Sequence, residues 1–118
     1  MPFEQHVEKP YPITAQSAYQ AALEVTKKMS GKVITNAADP LRVEARFPKE
    51  IFGKTLGERT QLACEVRAEG EGCVVVIDAF PLDAIERKLM FGARPGVTKT
   101  VVTWFVAHLE NTLGLPRE

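Results

Sequence analysis

The sequence predicts one α+β domain: an antiparallel meander sheet of four to five strands, with an N-terminal helix and a long C-terminal helix packed on one face. Three observations support this fold class. Residues 73–80 hold the chain's one long run of β-branched side chains, which predicts a largely buried strand. Segments of alternating polarity precede this run, as is typical of antiparallel strands. Apolar residues recur at helical spacing near each end of the chain.

The size and charge of the chain fit a single soluble domain spanning residues 1–118. Hydrophobic residues make up 45% and charged residues 25% of the sequence. Fifteen basic residues balance fifteen acidic ones, so no net field attracts nucleic acid or an anionic membrane. Neither a signal sequence nor an apolar run long enough to span a bilayer is present, and we expect a cytoplasmic protein.

The first 31 residues predict a strand followed by a helix. Residues 3–8 alternate in polarity, which predicts a short strand that ends at the prolines of residues 9–12. Thr14 is a suitable N-cap for the helix, and Ser30-Gly31 is a suitable stop. The predicted buried stripe consists of Ala18, Ala22, Val25 and Met29.

The middle of the chain predicts the meander. We expect strands over residues 32–35, 42–47 and 60–68, with a turn at residues 36–40. Between residues 48 and 59 the alternation breaks, and Phe52 and Leu56 lie among glycines. Such a segment is more often a flap that fills the edge of the core than a ligand-binding loop.

Two registers are open for the hairpin that leads into residues 73–80. Gly70 suits a two-residue loop and Gly72 suits a three-residue loop with a bulge. We expect the two-residue loop, with core positions at Cys73, Val75, Ile77 and Ala79 and with Ala68 also inward. Val74, Val76 and Phe80 then lie on the outer face, which is too apolar for plain solvent surface. The next segment, a second subunit or a ligand could cover it.

The remaining residues predict a connecting segment and a final helix. Residues 81–91 contain Leu89, Met90 and Phe91 and suit either a short helix or a last strand. Glycines at positions 92 and 96 end this segment, and the apolar stripe of residues 98–113 predicts the C-terminal helix.

The most suggestive polar feature is the start of the C-terminal helix, where Arg94 and Lys99 accompany free backbone amides. Such an end attracts phosphate or carboxylate, although a capped helix start with solvated charges is the simpler interpretation. The spacing does not match a phosphate-binding loop. We therefore treat Arg94 and Lys99 as a candidate anion site.

No catalytic residue, metal site or cofactor site is indicated. The two histidines, His6 and His108, lie far apart in sequence, and the two cysteines fall on expected core positions as free thiols. Asp78, Asp83 and Glu86 could act as acid or base groups, but Asp78 is more simply an outward-facing strand residue.

The order of elements resembles a reduced helix-grip domain of the START and Bet v 1-like class. The resemblance depends on the segment 3–14 that leads into the first helix, the meander over 32–80 and the helix over 98–113. It implies a curved antiparallel sheet wrapped around the C-terminal helix. The layout is also similar to small bacterial domains with a helix, a three-strand meander and a closing helix.

These features support three hypotheses of function. The first is a non-enzymatic binding module for an apolar small ligand or a protein partner. Its expected contact residues are Phe52, Leu56, Val74, Val76, Phe80, Leu89, Met90 and Phe91. The second is a structural homodimer in which two outer sheet faces meet. The third is an enzyme acting on an anionic substrate, with Arg94 and Lys99 as the anion clamp and Asp78 or Asp83 as base.

Overall fold

The computed structural model describes residues 4–38, 41–56, 59–82 and 96–114. Its elements, in chain order, are β1 (Gln5–Tyr11), α1 (Ala15–Lys28), β2 (Lys32–Ala38), β3 (Leu41–Phe47), β4 (Glu50–Ile51), β5 (Lys54–Thr55), β6 (Arg59–Glu69), β7 (Gly72–Leu82) and α2 (Val97–Thr112).

The strands of the described residues form a five-stranded antiparallel sheet in the order β1-β7-β6-β3-β2, with a separate β4-β5 hairpin. Inward side chains of β3, β6 and β7 form one buried cluster with α1 and α2. Both helices therefore lie on the same face of the sheet, here called the inner face, and the opposite side is the outer face. The predicted α+β class and two-helix arrangement are confirmed.

Helix α1 has the predicted N-cap and the predicted buried stripe. The Thr14 hydroxyl accepts a hydrogen bond from the Ser17 amide at 3.2 Å, and the four predicted stripe residues are buried. The stop differs from the usual pattern, because Ser30 adopts the left-handed conformation (φ 64°) in place of a glycine. Gly31 is needed for space, since a Cβ there would lie 2.6 Å from the Phe47 ring.

Strand β1 is longer than predicted, because it continues through Lys9 and Pro10 to Tyr11. Pro10 does not end it, since in the described sheet β1 is an edge strand that pairs with β7 alone. An edge strand leaves one row of amides outside the ladder, and proline can occupy such a position.

The structure confirms the expected two-residue loop between β6 and β7, and strand β2 is longer than predicted. Glu69 pairs with Gly72 across a two-residue loop, and the four expected core positions of β7 are buried. Ala68 lies at the exposed end of the sheet and is not buried as predicted. Strand β2 runs to Ala38, beyond the predicted end at residue 35, with a bulge between Val33 and Thr35.

The C-terminal helix lies where the sequence predicts it. Helix α2 begins after Gly96 (φ 84°), and Gly114 (φ 72°) follows its end. Strand β7 includes the first two residues of the connecting segment, and the rest of residues 81–91 lies outside the described part. No described helix is both long enough and apolar enough to cross a membrane.

Candidate functional site

The segment between β3 and β6 forms a small hairpin, here called the flap (residues 48–56). Residues 50–51 pair with residues 54–55, and Ile51 anchors the hairpin in the core with no exposed surface. Phe52 (φ 53°) and Gly53 (φ 78°) form the tip. Positive φ at both central residues is the requirement of a type I′ turn, where asparagine, aspartate or glycine is usual. A bulky aromatic residue at the first position is unusual and strained.

Phe52 lies against helix α2. Its ring centroid is 4.9 Å from that of His108 and 6.1 Å from that of Trp104, both in tilted arrangements. Aromatic pairs at these separations are attractive. Even so, 49% of Phe52 remains exposed, and it is the one large hydrophobic residue exposed among the described positions. The flap tip and α2 thus form an aromatic cluster with an open side.

The second predicted flap residue, Leu56, packs against the core. Leu56 is partly buried and packs against the main core, as do Trp104 and Val106 of α2. Its amide donates a hydrogen bond to the Lys49 carbonyl at 2.6 Å, which closes the flap. Phe52 and Leu56 therefore belong to the helix side of the molecule.

The other expected ligand contacts divide into two groups. Val74, Val76 and Phe80 lie on the outer face, on the opposite side of the sheet from the flap residues that pack with α2. Val76 is only 6% exposed there, whereas Val74 and Phe80 are partly exposed. Leu89, Met90, Phe91 and Arg94 lie outside the described residues, as does Asp83. Lys99 is exposed in the first turn of α2.

Charged side chains surround the outer apolar residues. His6 lies between two carboxylates, with Nδ1 2.5 Å from Asp78 and Nε2 2.9 Å from Glu8. The hydrogen bond to Asp78, and then that to Glu8, raises the pKa of His6 above its usual value. Because the carboxylates contact opposite ring nitrogens, they do not converge on one point as metal ligands would. The described residues contain no metal-binding group of three such side chains.

Across the sheet, the outer face carries a second charged group. Arg42 contacts Glu44 at 2.8 Å and Glu65 at 3.6 Å, and Arg67 donates to Glu65 at 2.6 Å. Of these contacts, the Arg42–Glu65 pair joins β3 to β6, whereas the other two pairs each lie within one strand. Sequence patterns indicated outward polarity at these positions but not the Arg42–Glu65 pair, because strand register sets it.

A further polar cluster lies on the inner face, where α2 crosses β1. The Tyr11 hydroxyl donates to Glu110 Oε2 at 2.8 Å, and Lys9 Nζ lies 3.5 Å from the same oxygen. Burial, and then the Glu110 hydrogen bond, raises the pKa of Tyr11. The partners are 99 residues apart in sequence, so only the fold brings them together.

The cysteines are free and buried, as predicted. Burial raises the pKa of the Cys64 thiol to about 12, and burial also raises the pKa of Cys73. A thiolate nucleophile at neutral pH requires the opposite shift. Neither cysteine is suited to covalent catalysis.

Comparison with solved structures identifies the fold. The crystal structure of Ara h 8.0201 matches with a TM-score of 0.63 and 9% identity, covering 94% of this chain and 97% of that chain. A point mutant of norcoclaurine synthase from Thalictrum flavum, solved with a transition-state analogue, matches with a TM-score of 0.55 and 9% identity. That match covers 94% of each chain.

Both neighbours are Bet v 1-like proteins, so the chain has a Bet v 1-like helix-grip fold, in agreement with the resemblance in the order of elements. At this level of identity the likeness establishes the fold alone. No protein-family model matches the sequence, and no curated protein matches it either.

Proposed function

We propose that the protein is a non-enzymatic binding module that holds an apolar, aromatic small molecule between the flap and helix α2. The observation that carries the proposal is Phe52: a half-exposed aromatic side chain held in a left-handed turn conformation against Trp104 and His108. The Bet v 1-like neighbours support it at the level of fold, because a helix-grip fold suits a ligand module.

Two costs at Phe52 make a purely structural role the weaker explanation. A non-glycine residue at positive φ costs about 1–2 kcal/mol, and an exposed phenyl ring forgoes part of its burial energy of about 1.5–3 kcal/mol. An asparagine at this position would remove both costs. A ligand that inserts beside the ring would bury its open side and recover the second cost.

The proposal retains Phe52 and Leu56 from the expected contact residues and adds Trp104 and His108. The last two lie within residues 98–113, the range predicted for the C-terminal helix. They did not indicate contact with the flap, because the tip of a loop carries no periodicity. An exposed aromatic residue before a glycine in a two-residue turn is the signal that could have identified Phe52.

The site contains its own reporter, because Trp104 is the only tryptophan in the chain. Titration with 8-anilinonaphthalene-1-sulfonate should quench Trp104 emission and sensitise emission of the probe. Phe52→Ala should weaken binding about tenfold, since it removes the ring contact. Isothermal calorimetry on the same samples would supply the affinity independently.

Lys54→Ala is the matched control, because Lys54 is exposed on the same hairpin and one residue beyond the turn. It should leave probe binding unchanged. Phe52→Leu keeps an apolar side chain and should give an intermediate affinity. Equal affinity in wild type and Phe52→Ala, with both proteins folded by circular dichroism, would refute a ligand site at the flap.

A second candidate function, a homodimer formed through the outer face, is favoured by the charge distribution there. Outward positions of β2, β3 and β6 carry five basic side chains and three acidic ones: Lys32, Arg42, Arg46, Arg59, Arg67, Glu44, Glu65 and Glu69. Outward positions of β1 and β7 carry Glu8, Asp78 and His6. Val74 and Val76 lie on β7 within this face, near the boundary with the basic strands.

This arrangement selects one orientation for a second copy. A two-fold axis parallel to the strands places the acidic strands of one copy over the basic strands of the other. Five strands about 4.8 Å apart, each with about seven residues of 3.3 Å rise, offer roughly 550 Å² per partner. That area is near the lower limit for a specific interface, so we expect a weak, salt-sensitive dimer.

Sedimentation equilibrium would test the dimer at low and high salt. The expected result is a dimer with a micromolar dissociation constant at about 50 mM salt that dissociates at about 500 mM. Val74→Lys should make the protein monomeric at both salt concentrations, whereas Lys54→Ala should not. A monomer at millimolar concentration in low salt excludes the dimer.

A further inference from the structure

The root of the flap contains a buried hydroxyl without a partner. Thr60 has no exposed surface, and its Oγ1 has no hydrogen-bond partner among the residues that the structure describes. A buried hydroxyl in a native protein nearly always has a partner, so each exception calls for an explanation. Thr26 shows the usual solution, because its hydroxyl donates to the Ala22 carbonyl at 2.8 Å.

The two threonines differ in the acceptors within reach. In a helix, a threonine hydroxyl can reach the carbonyl four residues earlier, as that of Thr26 does, although the buried hydroxyl of Thr112 at the end of α2 also has no partner in the described part of the chain. Thr60 lies in β6, where backbone carbonyls are used in the ladder, and it faces the inner side of the sheet. Its partners in register are Phe47 and Pro81, whose side chains offer no hydrogen-bonding group. The hydroxyl is therefore held in an apolar environment.

The position of Thr60 connects it to the flap. The pair Phe47–Thr60 is the last one of the β3-β6 ladder before the chain enters the flap. Phe47 in turn makes an edge contact with Phe105 of α2, with ring centroids 6.3 Å apart. Thr60 thus lies at the base of the same flap whose tip contacts α2.

We infer that the Thr60 hydroxyl is the hydrogen-bonding group of the ligand site, and that the ligand is an apolar molecule carrying one hydroxyl or carbonyl group at its buried end. The inference rests on the proposed binding function. Small-molecule sites are usually lined by apolar side chains, with a few polar groups that fix the orientation of the ligand. A single hydroxyl can serve as such a group. Without ligand, the same hydroxyl lowers the stability of the fold.

A matched pair of ligands and a matched pair of variants test the inference. The ligands are 2-naphthol and 2-methylnaphthalene. They have nearly the same shape, but the first carries a hydroxyl group where the second carries a methyl group. Each is titrated against bound 8-anilinonaphthalene-1-sulfonate on wild type, Thr60→Val and Thr60→Ser. Thr60→Val keeps the side-chain shape and removes the hydroxyl, whereas Thr60→Ser keeps the hydroxyl.

The expected results form a double-mutant cycle. The affinity ratio of 2-naphthol to 2-methylnaphthalene should fall about five- to tenfold in Thr60→Val and remain near the wild-type value in Thr60→Ser. The melting temperature of ligand-free Thr60→Val should rise by about 4 °C, because the unpaired hydroxyl is removed.

Failure of the Thr60 inference and failure of the proposed binding function give different experimental results. If both ligands bind and the ratio is the same in wild type and Thr60→Val, the role of Thr60 is overturned and the binding function stands. If neither ligand displaces the probe from the wild-type protein, both proposals fail. A lower melting temperature in Thr60→Val would show that the hydroxyl has a structural partner and would also overturn the inference.

Discussion

At the scale of single residues, helix α1 ends where the sequence predicts, but Ser30 and Gly31 have roles that the sequence pattern does not indicate. Ser30-Gly31 stops the helix as the sequence predicts, with bonds from the Ser30 amide to Lys27 and from the Gly31 amide to Thr26. The serine takes the left-handed conformation that glycine usually supplies. The glycine instead leaves room for the buried ring of Phe47.

Substitutions at these two positions should therefore have opposite effects. Gly31→Ala should destabilise the protein by about 1–3 kcal/mol, because the added methyl group overlaps the Phe47 ring. Ser30→Gly should stabilise it by about 0.5–1 kcal/mol, because glycine adopts positive φ without a steric penalty. Urea unfolding of both variants measures the changes. Equal destabilisation by both would contradict the assignment of roles.

The functional residues were harder to predict from the sequence than the core residues were. The inward positions of β7 follow from alternation and from a glycine in the turn, both of which are local signals. By contrast, His6 and Asp78 are 72 residues apart and meet only through the β1-β7 register. Phe52 and Leu56 were expected to share a surface with Val74, and the sheet separates them. Side-chain chemistry alone does not specify which face a flap covers.

At the scale of elements, the Tyr11–Glu110 bond attaches helix α2 to the edge strand. Edge strands and terminal helices are the parts of a fold that open most easily. Glu110 is on the last full turn of α2 and only 12% of its side chain is exposed, so the bond is largely shielded from water. Lys9 contributes less, because its side chain is 45% exposed and the contact is longer.

Tyr11→Phe should cost about 1.5–3 kcal/mol of stability at pH 8, since it removes a hydrogen bond to a charged group. The folded-state pKa of Tyr11 is raised, so its contribution is fully present below the unfolded value of about 10 and is lost as the pH rises above that value. The penalty of Tyr11→Phe should therefore shrink between about pH 10 and pH 11.

Urea unfolding across this pH range measures that penalty directly. Lys9→Gln serves as the control and should cost less than about 1 kcal/mol at pH 8. If the Tyr11→Phe penalty is constant from pH 8 to pH 11, the hydroxyl is not the group that joins the helix to the strand.

The elements themselves were largely predictable, and their ends were not. Both helices are amphipathic, and the meander strands alternate, so local patterns specify them. The extension of β1 through Pro10 depends on its edge position, which is a property of the whole sheet. Strand β2 continues to Ala38 beyond a bulge, between Val33 and Thr35, at which its register with β3 shifts. Long-range pairing determines these ends.

At the scale of the whole molecule, the sheet divides two surfaces of different character. The inner side holds α1, α2 and the aromatic cluster of Phe52, Trp104 and His108. The outer side holds Val74 and Val76 among charged groups. The proposed site for an apolar small molecule is on the inner side, at the flap, and not on the outer face.

A titration followed by ¹H–¹⁵N correlation spectra tests this location, because it shows which of the two surfaces the ligand contacts. On addition of 2-naphthol, we expect shifts for the Trp104 indole and for the amides of residues 50–56, with the amides of Val74 and Val76 unchanged. Shifts confined to the amides of Val74 and Val76, or no shifts at saturating ligand, would contradict it.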